Sequence, residues 1–146
     1  MGIQGIEEVA RRAATAGFLA LAPDGLSPVG GYPGNDNDDE KLQRSLEQGK
    51  FKRDMANSTN YVRTHAASSG KLGSLGFCQG GGATNHLAVT LGQDLHAAVP
   101  FYGWAAASDE VSRIKASLRV QSAENDPRIN TMWPDLEAAL KTNGCS

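Results

Sequence analysis

A glycine-rich segment around one of the two cysteines is the part of the sequence best suited to chemistry. It reads Gly76-Phe77-Cys78-Gln79-Gly80-Gly81-Gly82 and follows a short apolar run. Small residues two positions before and after a nucleophile let a strand and the next helix approach closely, so the spacing predicts a nucleophile elbow with Cys78 on a strained turn. The backbone N–H of Gln79 would then be one donor of an oxyanion hole.

Three other interpretations of this segment remain open on the residues alone. Cys78 could be a buried structural cysteine in a glycine-rich turn. A phosphate-binding loop is less favoured, because the segment has neither the GxGxxG spacing nor a Lys-Ser/Thr pair after the glycines. A thiol redox function would use Cys78 with Cys145 as the resolving partner, and reactivity with peroxide would test it.

Around this segment, apolar runs that predict strands alternate with amphipathic stretches that predict helices. This alternation predicts βαβ units, and we expect an α/β fold: a three-layer α/β/α sandwich with a mainly parallel sheet of about four strands. No linker or repeat is present, so residues 1–146 are predicted to form a single domain. The predicted strands are 18–22, 71–77, 95–102 and 117–123, and the predicted helices are 3–16, 40–48, 50–66, 132–141 and one that begins right after Cys78.

Composition narrows the classes of function. The formal net charge is -2 and no basic stripe runs along any segment, which argues against a nucleic-acid partner. The apolar stretches are short and interrupted, so we expect no membrane span. Two cysteines are too few for a disulfide scaffold, and the first residues lack the pattern of a signal peptide. We therefore expect a reduced, cytoplasmic protein.

Four segments together resemble the dienelactone hydrolase family, a branch of the α/β-hydrolases. GFCQGGG is similar to that family's elbow, in which a cysteine takes the place of the more usual serine. ALAPDGLSPVGGYPGND is similar to the strand and loop before the elbow, and HAAVPFYG to the strand after it. ENDPRIN followed by PDLEAALK is similar to the turn with the triad acid and the next helix. The matches occur in the family's order and cover nearly the whole chain.

The resemblance implies a Cys-His-Asp triad that hydrolyses a small ester or lactone through an acyl-enzyme, with no metal and no cofactor. Cys78 corresponds to the nucleophile and Asp126 to the triad acid. Without the resemblance, Asp126 would be interpreted as a turn or N-cap residue before Pro127.

The sequence departs from the family in its histidines. The family's triad His follows a further strand, and strands that precede the first helix are also expected, so we interpret the chain as an α/β-hydrolase core truncated at both ends. His86 lies eight residues after Cys78, about 12 Å further along a helix. His65 and His96 are predicted at the opposite end or edge of the sheet. We therefore expect weak or no activity, or alternatively a non-catalytic remnant that persists as a self-associating homodimer.

Overall fold

A computed structural model describes residues 3–144, without the side chains of Ile3, Gln4 and Asp36. The chain divides into two compact units, Met1–Gly70 and Lys71–Ser146. Cys145, the partner in the redox hypothesis, lies outside the described residues. No helix among residues 3–144 combines the length and the apolar character that crossing a membrane requires.

Three helices make up most of the first unit: α1 (Ile3–Thr15), α2 (Asp36–Ser45) and α3 (Gln48–Thr64). The predicted second helix began at residue 40, and the structure begins it four residues earlier, because the Asn35 side chain caps α2 by accepting the N–H of Asp38. The amide of Asn35 and, more strongly, the ammonium of Lys41 donate hydrogen bonds that lower the pKa of the Asp38 carboxyl.

The predicted strand at residues 18–22 is wrong. These residues form no strand and no bridge, and their large side chains are exposed, 69% for Phe18 and 45% for Leu21. A strand exists only when its backbone groups pair with a neighbour, and none of the described strands pairs with this segment. Apolar composition therefore predicted a strand for a segment that the structure leaves without secondary structure.

The second unit contains one parallel sheet of three strands in the order β1-β2-β3. Gly73–Phe77 form β1, Ala97–Phe101 form β2 and Ser117–Leu118 form β3. The register aligns the last residue of β1 with the last residue of β2, and an isolated bridge joins Phe101 to Gln121 beyond β3. The fold class is the predicted α/β with a parallel sheet, but the number of strands is three instead of about four.

The third strand is shorter than the predicted 117–123, although its hydrogen bonds continue past Leu118. The N–H of Arg119 donates to the carbonyl of Ala98 at 2.9 Å, and the N–H of Gln121 donates to the carbonyl of Pro100 at 2.9 Å. The segment therefore follows β2 up to Gln121 and then turns away, which brings the following loop to the carboxyl end of the sheet.

One face of the sheet is covered by α4 (Gln79–Leu91). The hydroxyls of Ser74 in β1 and Thr84 in α4 are hydrogen-bonded at 3.0 Å, and Gly76 faces the same helix. The residues paired with Ser74 and Gly76 in β2 are buried; they are Ala98 and Pro100. Leu75 points to the opposite face, as strand alternation requires, and is 48% exposed. Two further helices, α5 (Pro127–Asn130) and α6 (Trp133–Thr142), follow β3. The core of this unit consists of Leu87, Ala88, Val89, Leu95, Val111, Ile114, Ile129 and Leu136, together with the α4-facing side of the sheet.

Candidate active site

Cys78 occupies the sharp turn between β1 and α4. Its backbone angles are φ 53° and ψ −114°, in the left-handed half of conformational space that residues other than glycine seldom adopt. Such a conformation costs about 1–3 kcal/mol and persists only when the surroundings enforce it. Here the N–H of Cys78 donates to the carbonyl of Phe101 at 3.0 Å, and its carbonyl accepts from the N–H of Gly82 at 3.1 Å. The thiol is exposed, so the interpretation of Cys78 as a buried structural cysteine is wrong.

Close backbone packing explains two of the four glycines in the elbow, Gly76 and Gly81. A Cβ atom at Gly76 would overlap the backbone of Gly80 and lie 2.9 Å from Oγ1 of Thr84. A Cβ atom at Gly81 would lie 2.5 Å from the carbonyl oxygen of Phe101. A Cβ atom at Gly80 would meet open space. The glycine that packing requires after the nucleophile is therefore Gly81. The spacing argument had instead predicted a small residue two positions after Cys78, which is Gly80.

The segment after β2 is held against the first turns of α4. A Cβ atom at Gly103 would overlap the backbone of Gly81 and Gly82. Asn85 is 3% exposed, and its side-chain amide donates to the carbonyl of Trp104 at 2.8 Å. The residue at the start of this segment, Tyr102, has φ 38° and is the second non-glycine residue with a positive φ in the described chain. Sequence reasoning did not identify this feature.

The first turn of α4 follows the candidate nucleophile directly. Gln79 is the first residue of α4, so its N–H has no carbonyl four residues earlier within the helix. The amino end of a helix also carries partial positive charge, which favours an oxyanion. Gln79 therefore lies where an oxyanion-hole donor is required, and its role there remains a prediction.

Asp126 lies at the same end of the sheet as Cys78, because it follows β3 and all three strands are parallel. It occupies the N-cap position of α5, but its side chain makes no capping hydrogen bond. Its carboxylate is mostly buried, with 17% of the side chain exposed, and forms an ion pair with Arg128 at 3.2 Å. The carboxylate is therefore free of the capping role that a turn residue would have.

An open cavity lies beyond the carboxyl end of β3. Its lining includes Asn130, whose amide group donates to the carbonyls of Ala123 and Glu124, and whose Oδ1 atom is buried without a partner within residues 3–144. The cavity is lined by Val120, Ser122, Ala123, Glu124, Asn130 and Trp133. Among residues 3–144, no group of three or more His, Cys, Asp or Glu side chains is arranged to hold a metal ion.

Neither histidine of the second unit lies near the thiol. His86 is on α4, where its Nε2 atom is 3.2 Å from Oγ1 of Thr90 and about 12 Å along the helix axis from Cys78. The Nδ1 atom of His96 accepts the N–H of Leu72, just before the start of β1 and β2. About 17 Å of extended strand separates this position from the end of the sheet where Cys78 lies. His65, in the first unit, ends α3 and accepts the N–H of Ala67.

Comparison with known proteins gives this site its family context. The model of the family described as "Dienelactone hydrolase family" matches residues 1–146, the whole chain. The chain belongs to the dienelactone hydrolase family. The predicted family is therefore confirmed, and a hydrolase is the class of enzyme that this membership supports.

Proteins similar to this chain include two curated proteins and one solved structure. A "Putative hydrolase fragment YghX" from Escherichia coli (strain K12) is 64% identical over 42 residues, 29% of this chain and 36% of that protein. "Protein usf" from Aquifex pyrophilus is 29% identical over 133 residues, 88% of this chain and 57% of that protein. The crystal structure of P91, a dienelactone hydrolase-like promiscuous phosphotriesterase from metagenomic libraries, aligns with a TM-score of 0.75 and 23% identity over 95% of this chain and 59% of that one.

The structural match to P91 confirms the α/β fold. The chain spans little more than half the length of Protein usf and of P91. The family and the fold are thus established for these 146 residues, while the roles of Cys78, Gln79 and Asp126 stay predictions.

Proposed function

We propose that this chain is a hydrolase of carboxylic esters and lactones in which the thiol of Cys78 attacks the acyl carbonyl. One observation carries the proposal: Cys78 is exposed on a strained strand-to-helix turn that β1, α4 and the segment after β2 enforce together. Strain that several contacts maintain at an exposed nucleophile is typical of catalytic sites. Family membership supports the same class of reaction.

The proposed reaction begins when the thiol of Cys78 loses its proton to solvent and Sγ attacks the carbonyl carbon, which forms a C–S bond, breaks the carbonyl π bond and leaves a tetrahedral oxyanion. The N–H of Gln79 donates to that oxyanion. Collapse of the intermediate breaks the bond to the alcohol oxygen, which leaves with the electron pair and takes up a proton, and a thioester remains on Cys78. Water then hydrolyses the thioester, which releases the acid and regenerates the thiol.

The second step requires a base that removes a proton from water. The two histidines of the second unit lie away from the elbow. Within residues 3–144, the carboxylate of Asp126 forms an ion pair with Arg128 and not with a histidine. Removal of a triad member in a complete enzyme slows turnover by about 10⁶-fold. We therefore expect Cys78 to form a thioester with an activated ester. Hydrolysis of this thioester should be slow, with kcat/KM far below about 10⁴ M⁻¹s⁻¹.

Burst kinetics test this proposal directly. The Cys145→Ser variant, in which Cys78 is the single thiol, is mixed with 4-nitrophenyl acetate, and nitrophenolate release is followed by stopped flow. We expect a burst of roughly one nitrophenolate per chain, followed by a slow steady rate. Added imidazole should increase the steady rate, because it supplies the base from solution. Absence of a burst, or a steady-state efficiency in the ordinary enzyme range, would contradict the proposal.

Exposed apolar residues in the first unit favour a second candidate, self-association without catalysis. Phe18, Leu19 and Leu21 form an apolar segment with large exposed side chains, and none of its backbone groups takes part in a strand within the described chain. An exposed apolar segment that lies outside any sheet can pair with another chain. We propose that two copies associate through residues 18–21 and bury more than about 1,000 Å² in total.

Light scattering measures this association. We expect the mass of a dimer at micromolar concentration, and a shift toward the monomer when Phe18 and Leu21 are both replaced with serine. Tyr61→Ser is a matched control, because it removes another exposed aromatic side chain from the same unit. A monomer in the unmodified chain would overturn the proposed dimer and would leave the hydrolase proposal intact.

A further inference from the structure

The two strained residues of the described chain lie side by side. The last residues of β1 and β2 are paired in register, so Cys78 and Tyr102 are the next residues on adjacent strands, about 5 Å apart in backbone position. Both have positive φ, 53° for Cys78 and 38° for Tyr102. The elbow explains the first of these conformations. It does not require the second, because Tyr102 belongs to the neighbouring strand.

Contacts on both sides enforce the backbone of Tyr102. Its N–H donates to the carbonyl of Gln121 at 2.7 Å, which ties it to the segment after β3. The next residue, Gly103, packs so closely on Gly81 and Gly82 that no side chain fits between them. The buried amide of Asn85 then holds the carbonyl of Trp104.

The strain changes the direction of the tyrosine side chain. Strand alternation places Pro100 on the face that α4 covers and Phe101 on the opposite face, so a regular residue 102 would point toward α4. The ring of Tyr102 is instead 6.3 Å from the ring of Phe77 and 6.5 Å from that of Phe101. The ring is therefore beside Phe77, the residue that precedes the nucleophile, and it is half-buried.

We propose that Tyr102 is a substrate-binding residue of the Cys78 site. Its ring forms a wall next to the thiol, and its hydroxyl donates a hydrogen bond to an oxygen of the acyl group that Cys78 attacks. A tyrosine hydroxyl can donate one hydrogen bond, and Tyr102 is the residue beside Cys78 on the adjacent strand. This inference rests on the proposed function, because it requires an acyl group at Cys78.

Two reagents separate binding of the acyl group from reactivity of the thiol. In the Cys145→Ser background, Tyr102→Phe is compared with the parent for acylation by 4-nitrophenyl acetate and for reaction with 4,4′-dithiodipyridine, a neutral disulfide without an oxygen acceptor. Tyr102→Phe keeps the ring and the backbone, so it should fold like the parent. We expect acylation to slow about tenfold, the effect of losing one hydrogen bond, while the disulfide reaction changes less than about twofold.

The outcomes distinguish the two proposals. If the parent reacts with the disulfide but is not acylated, the proposed function fails and this inference fails with it. If the parent is acylated and Tyr102→Phe is acylated at the same rate, the role of Tyr102 alone is overturned. Equal slowing of both reactions also overturns it, because Tyr102 would then act on the thiol and not on the acyl group. Tyr102→Asn, which tolerates positive φ but removes the ring, should be acylated at least as slowly as Tyr102→Phe.

Discussion

Cys78→Ala is expected to abolish the nitrophenolate burst. The burst amplitude should fall from roughly one per chain to the level of the uncatalysed reaction, because alanine supplies no atom that can form the thioester. Stopped-flow absorbance with 4-nitrophenyl acetate measures it, in the Cys145→Ser background. The effect is large because Cys78 is the exposed thiol on the strained turn, and no other described side chain replaces it there.

Cys78→Ser is the matched comparison for this prediction. Serine keeps a nucleophilic oxygen in the same position, but a hydroxyl without a base is a far weaker nucleophile than a thiol at neutral pH. We therefore expect an acylation rate near background for serine as well. A burst of normal amplitude in Cys78→Ala would mean that another group of the chain is acylated.

Gly76→Ala is expected to destabilise the second unit by about 3 kcal/mol or more, a value in the range of severe overpacking. A Cβ atom at this position overlaps the backbone of Gly80, so relief requires movement of β1 or α4 and not of a flexible side chain. The same movement would relax the turn at Cys78, so the burst should be lost as well. Chemical denaturation followed by circular dichroism measures the change in the free energy of unfolding.

Gly80→Ala is the control for Gly76→Ala. It adds the same methyl group to the same elbow, but in open space on α4. Glycine is a poor helix former, so alanine there should leave the free energy of unfolding unchanged or raise it by up to about 1 kcal/mol. Equal destabilisation by the two variants would contradict the packing that the structure describes around Gly76.

The elbow could be predicted from sequence because its determinants are local. The strand, the nucleophile and the helix that begins at Gln79 are contiguous, and glycine spacing indicates where the two backbones approach. The order of the later segments likewise indicated that Asp126 follows the predicted strand at 117–123, which contains β3, at the end of the sheet where Cys78 lies. Parallel topology made that placement predictable without knowledge of any distance.

Other features depend on partners distant in sequence, and periodicity does not report them. Residues 18–22 have the composition of a strand but are irregular, because composition does not report whether a backbone finds a pairing partner. The requirement for glycine at position 81 comes from Phe101 and Gly103, which lie about twenty residues away. The strain at Tyr102 results from the same contacts, and from the hydrogen bond to Gln121. Each of these is a property of the assembled sheet and helix.

The atom that 4-nitrophenyl acetate acylates decides whether Cys78 is the nucleophile. The Cys145→Ser chain is incubated with 4-nitrophenyl acetate, quenched in acid within the burst, and analysed by intact-mass spectrometry and peptide mapping. The account predicts one acetyl group per chain, located on Sγ of Cys78 and released by hydroxylamine as a thioester would be. An acetyl group on a lysine or a hydroxyl, or no adduct on Cys78 at the end of the burst, would contradict the account.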